Sequence, residues 1–141
     1  MEVITNQILE YENLISYRCC PEDEETPYYV HFIETNVDAL EVEKCGPVII
    51  GRHKNDTEFL IPVSGSVMKS KSFSCKSVFK LTCAMMFRHY GSYKNIENSI
   101  GMLKRYISDN SLVPITDPYI VVKSLEREVF DIYIGLSENV L

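Results

Sequence analysis

The chain has 141 residues, 45% hydrophobic and 24% charged, which suits one domain (residues 1–141) with its own core and argues against disorder. Acidic residues outnumber basic ones 20 to 14, and the resulting formal charge of −6 disfavours direct nucleic-acid binding. The cysteines (Cys19, Cys20, Cys45, Cys75 and Cys83) are odd in number and lack Cys-x-x-Cys spacing, so reduced thiols are expected rather than a disulfide framework or a metal site.

In chain order, residues 12–20 read as a strand, with Ile15, Tyr17 and Cys19 alternating against Ser16 and Arg18. An acidic turn over residues 21–25 leads to Thr26, expected as an N-cap, and to Pro27 at the first helical position. That helix runs to about Leu40, with Val30, Ile33, Val37 and Leu40 on one face. Residues 48–52 and 57–63 are expected as a hairpin, and the serine- and lysine-rich stretch 65–72 as the seam between halves. Residues 73–88 are apolar enough for one or two strands. A turn at Gly91 follows, then a helix over 94–110 capped by Ser92, with Ile96, Ile100, Leu103 and Ile107 in one stripe. Strands over 119–123 and 129–136 flank a charged tip at 124–128. The N-terminus has no basic and apolar leader pattern, and the apolar runs are too short to span a bilayer, so a cytoplasmic protein is expected.

A shift of 70 residues places Leu14-Ile15-Ser16-Tyr17-Arg18 on Ala84-Met85-Met86-Phe87-Arg88, and Val30, Ile33 and Val37 on Ile100, Leu103 and Ile107. A shift of 71 pairs Pro47 with Pro118, and a shift of 73 pairs residues 58–64 with 131–137. The chain therefore reads as two strand–helix–strand–strand halves, about 12–64 and 73–137. The expected fold is α+β: a curved antiparallel sheet with two helices on one face.

Strand alternation puts Phe59, Ile61 and Val63 under the helices and leaves Glu58 and Leu60 on the opposite face. Asp131 and Tyr133 take the corresponding positions in the second half. An isolated strand carboxylate is ordinarily a solvated one, and its recurrence at equivalent positions brings a shared site nearly level with that reading. His31, His53 and His89 are expected as surface or capping residues, and no glycine-rich phosphate loop is present.

These patterns resemble the GyrI-like small-molecule-binding domain, the effector-binding domain of AraC- and MerR-type bacterial regulators. The resemblance is carried by the strand ending in residues 84–88, the His89-Tyr90-Gly91-Ser92-Tyr93 turn, and the helix through Leu103, Tyr106 and Ile107. Asp117-Pro118-Tyr119 and the strand Phe130-Asp131-Ile132-Tyr133-Ile134 complete it. It implies a ligand pocket between the halves, often for hydrophobic cations, with Asp131 in place of the family's glutamate and one methylene shorter. Tyr17, Phe87, Tyr119 and Tyr133 would supply aromatic walls, since the chain has no tryptophan. No helix-turn-helix precedes the first strand, so a stand-alone regulatory ligand-binding module is the leading expectation, with no cofactor. The alternatives are a protein–protein adaptor with a vestigial pocket, and a hydrolase in which Glu58 or Asp131 activates water.

Overall fold

The computed structural model describes residues 2–66 and 73–136. Most of the expected seam (67–72), including Lys69 and Lys71, lies outside them, as does Ser137. The elements are β1 (Val3–Cys19), α1 (Thr26–Ala39), β2 (Glu43–Lys44), β3 (Ile49–Arg52), β4 (Thr57–Ser64), β5 (Ser74–Tyr90), α2 (Ile96–Asp109), β6 (Tyr119–Ser124) and β7 (Val129–Gly135). The fold is α+β, with one antiparallel seven-stranded sheet and two helices.

Each helix is entered through a 3-10 turn, Asp23–Glu25 before α1 and Tyr93–Asn95 before α2. Ser92 accepts a hydrogen bond from the Lys94 amide, as expected of a cap. Thr26 does not cap. It lies inside the helix and its hydroxyl donates to the Glu22 carbonyl, while Glu22 and Glu25 form the reciprocal capping box. Both helices end on a left-handed residue, Glu41 at φ 60° and Ser111 at φ 58°, 70 positions apart.

Strand β1 begins nine residues earlier than the expected start at residue 12. Register shifts between Ile4, Gln7 and Leu9, around the left-handed Asn6, break the alternation that would reveal it. β1 pairs with β5 from Val3 to Ser16 and with β4 from Leu14 to Cys19. β3 pairs with β6, so the order β1-β5-β7-β6-β3-β4 closes into a ring. The backbone bonds Arg52 N–H to Pro118 O and Val122 N–H to Val48 O are equivalent under a shift of 70. Val48, rather than Pro47, is therefore the counterpart of Pro118, and the expected offset of 71 at this turn is one too large.

Two apolar clusters occupy the two faces of the ring. The outer one packs Val30, Ile33 and Val37 of α1 and Ile96, Ile100, Leu103 and Ile107 of α2 against Ile50, Phe59, Ile120, Ile132 and Ile134. Each such aliphatic side chain contributes about 1.5–3 kcal/mol on full burial. The inner cluster is Leu9, Leu14, Ile49, Leu60, Phe79, Leu81, Ala84 and Val121, with Tyr11, Tyr119 and Tyr133 packed against it.

Candidate functional site

The strand registers set two rows of residues across the inner face. One row runs Arg18, Glu58, Gly51, Tyr119, Tyr133, Met86 through successive pairings. The other runs Arg88, Asp131, Val121, Ile49, Leu60, Ser16. Each position in one row is the internal-repeat counterpart of the same position in the other. Each carboxylate thus faces an arginine on the neighbouring long strand. Sequence reading missed Arg18 and Arg88, although combining the 70-residue offset of the first strands with the 73-residue offset of the last strands pairs them with the acids.

Of the expected site residues, Glu58, Leu60, Tyr119, Asp131 and Tyr133 share this inner face. Leu60 is fully buried, and Phe79 packs edge-on against Tyr119 at 4.8 Å between ring centroids, so the centre of the face is filled by the chain itself. Tyr17 and Phe87 lie on the other face, against the helix-side cluster. The parity of their strands puts Ser16, Arg18, Met86 and Arg88 inward instead.

The two acids are neutralised differently. Glu58 is buried, accepts a 2.5 Å hydrogen bond from the Ser16 hydroxyl, and has the Arg18 guanidinium at 3.5 Å and the Lys76 ammonium at 3.6 Å. Its other oxygen lies 2.9 Å from His53 Nε2, and His53 Nδ1 lies 2.9 Å from Asp117. Burial pushes the Glu58 pKa up, but the Ser16 and His53 hydrogen bonds and the two cations outweigh it and hold the carboxyl below its ordinary value. Burial likewise disfavours charge on His53, yet its bonds to Asp117 and Glu58 raise its pKa overall. An ionised carboxylate only accepts, so the two acids favour the protonated imidazolium, which can donate from both ring nitrogens. Gly51 makes room for this arrangement: a Cβ there would meet Tyr119 at 2.9 Å and His53 at 3.0 Å. His53 is thus an inter-strand joint rather than a surface residue. His89, unlike the half-buried His53, is buried, with its ring nitrogens 2.6 Å from the Ser99 hydroxyl and 2.9 Å from the Ser92 carbonyl.

Asp131 is 2% exposed, and among the described residues its ion-pair partner is Arg88, through bonds of 2.7 and 3.1 Å. The arginine side chain is 41% exposed, and its bonds to Asp131 first and Tyr90 second raise its pKa. Beside it lies a hollow of about 360 Å³, lined by Glu2, Ile4, Met86, Phe87, Arg88 and Tyr90. At the pseudo-equivalent mouth, Ser74 and Ser16 replace Ile4 and Met86, and Lys76 and His53 add positive charge at Glu58. One mouth of the ring is therefore polar and closed by charge, and the other sets apolar Ile4, Met86 and Phe87 beside Glu2 and Arg88. Burial, then the charge of Asp131, raises the Tyr133 pKa, and burial, then Glu58, raises that of Tyr119, so both phenols stay neutral.

No group of His, Cys, Asp and Glu among the described residues is arranged to hold a metal ion. No described helix is long and apolar enough to cross a membrane.

No protein-family model and no curated protein matches the sequence. Among solved structures, the chain is similar to the C-terminal domain of EcmrR, with 15% identity and a TM-score of 0.67 over 97% of this chain and 99% of that one. It is also similar to EcmrR in a complex with DNA, with 14% identity and a TM-score of 0.74 over 96% of this chain, which spans 57% of the EcmrR chain. A third similar structure is SAV2435 bound to tetraphenylphosphonium, with 9% identity and a TM-score of 0.57 over 96% of this chain and 95% of that one. At these identities the likeness is one of fold.

Proposed function

We propose that this chain is a GyrI-like small-molecule-binding module with a regulatory role, taking a hydrophobic cation at the Asp131 mouth of the ring. The observation that carries the reading is Asp131 itself: a carboxylate 2% exposed whose cationic partner is a 41% exposed arginine beside a largely apolar hollow that also carries the Glu2 carboxylate. Displacing Arg88 sets its charge free in water, while an incoming cation keeps the buried carboxylate paired. Met86 and Ile4 supply apolar contact and Tyr90 an aromatic face. Tetraphenylphosphonium, the ligand of the similarly folded SAV2435, has this chemistry. Deeper entry toward Tyr133, Tyr119 and Leu60 requires the inner packing to open. The Glu58 mouth, already compensated by several donors, offers such a ligand no unpaired charge.

The test is a thermal-shift and calorimetric titration with tetraphenylphosphonium. Wild type is expected to bind and to gain apparent stability with ligand concentration. Asp131→Asn is expected to weaken binding by about 1–3 kcal/mol through loss of the charged acceptor. Arg88→Met is expected to tighten it, because the competing internal cation is gone. Equal binding by wild type and Asp131→Asn, or no binding by any variant, overturns the reading.

A further inference from the structure

The internal repeat lets each half serve as a control for the other. On the outer face, α2 lays Tyr106 half-buried against the core. The counterpart of Tyr106 under the 70-residue shift is Asn36 of α1, exposed and lacking a ring. At this place in the first half there is a hollow of about 430 Å³ between α1, β1 and the residue preceding β5. Ile15, Ile33 and Val37 line it, Tyr17 and Phe73 add rings, and Asn36 stands on its wall.

We propose that this hollow is a second binding site, distinct from the Asp131 mouth, for a neutral single-ring aromatic molecule bearing one hydroxyl or similar polar substituent. The second half fills the equivalent place with a phenol from its own helix, so the phenol chemistry is what the first half lacks. A volume of about 150 Å³ with apolar walls already takes a benzene-sized ring, and this hollow is larger. Among the described residues its walls carry no charged side chain, so an ion would lose its hydration without gaining a partner there. The amide of Asn36 and the hydroxyl of Tyr17 are neutral groups able to bond a substituent.

The probe is p-cresol, followed by amide chemical shifts and by thermal stability on the full chain. Wild type is expected to show saturable shifts at Ile15, Tyr17, Ile33 and Val37 and a rise in melting temperature. Asn36→Tyr, which restores the ring seen in the other half, is expected to stabilise the free protein and weaken p-cresol binding by roughly tenfold or more. Asn36→Phe gives the same steric block should the tyrosine variant not fold. Asp131→Asn is expected to leave p-cresol binding intact, so failure at the cation mouth and failure here are separable. Absence of saturable shifts in wild type, shifts elsewhere, or unchanged binding in both Asn36 variants overturns the proposal. So does binding that appears only after Val67→Ser and Met68→Ser, since the chain's own segment would then be the occupant.

Discussion

His53 bridges two carboxylates, and its charge makes the Glu58 cluster depend on pH. Its raised pKa means that its contribution is fully present below 6.5 and is lost as pH rises through the folded value. The lowered pKa of Glu58 works in the opposite sense, its contribution being present above 4.5 and lost as pH falls through the folded value. Both are present between 4.5 and 6.5. Urea unfolding of His53→Gln against wild type is expected to show its largest deficit in that window and a shrinking one at higher pH. Glu58→Leu is expected to cost about 1–3 kcal/mol, because the Ser16 hydroxyl and His53 would lose their acceptor while Arg18 and Lys76 are free to turn to solvent. A urea midpoint unchanged from wild type would contradict this.

At the scale of elements, β1 and β5 bend at matched positions, Asn13 at φ 56° and Cys83 at φ 52°, again 70 residues apart. Asparagine tolerates this left-handed conformation, and its amide bonds the carbonyls of Val63 at 2.7 Å and Gly65 at 2.8 Å. Cys83 packs against the outer core, but among the described residues its side chain makes no comparable hydrogen bond. Cys83→Asn is expected to stabilise the protein by about 1 kcal/mol, by relieving strain and offering a bond to Leu136, the counterpart of Val63. Chemical denaturation would show it, and a lower midpoint would refute it. The same bends explain what could be read from the sequence. Helices with unbroken stripes, such as Ile96, Ile100, Leu103 and Ile107, and strands with clean alternation, such as β4 and β7, were legible. So was the inward placing of Glu58, Leu60, Asp131 and Tyr133. Residues 3–11 were not, since the bulges near Asn6 interrupt their period. Local alternation sets Tyr17 with Ile15 and Cys19 against Ser16 and Arg18, but which of these faces turns inward, there and at Phe87 and Arg88, follows from the cross-strand register.

Over the whole molecule, the ring is sealed by three residue pairs between β3 and β6, Ile49 with Val121, Ile50 with Ile120 and Gly51 with Tyr119. Arg52, the last residue of β3, ties the seam to both helix entrances by ion pairs with Asp23 and Glu97. Gly51→Ala puts a methyl group against Tyr119 and His53 and is expected to cost about 1–3 kcal/mol by overpacking. It should also speed hydrogen exchange at Arg52 and Val122 together, because their amides donate across the same seam. Accelerated exchange at one and not the other would show that the seam does not open as a unit.

Closure also bears on how copies of this chain meet. A sheet that bites its own tail leaves little backbone for a neighbouring molecule to stitch onto, and the terminal strand in the order, β2, is two residues long and carries Glu43 and Lys44. The long strands carry left-handed residues at Asn6, Asn13 and Cys83, which spoil a flat template for polymerisation. Concentrated samples are therefore expected to resist fibril growth. Opening the seam with Gly51→Ala should shorten the lag before light scattering rises, so that one glycine guards solubility as well as shape.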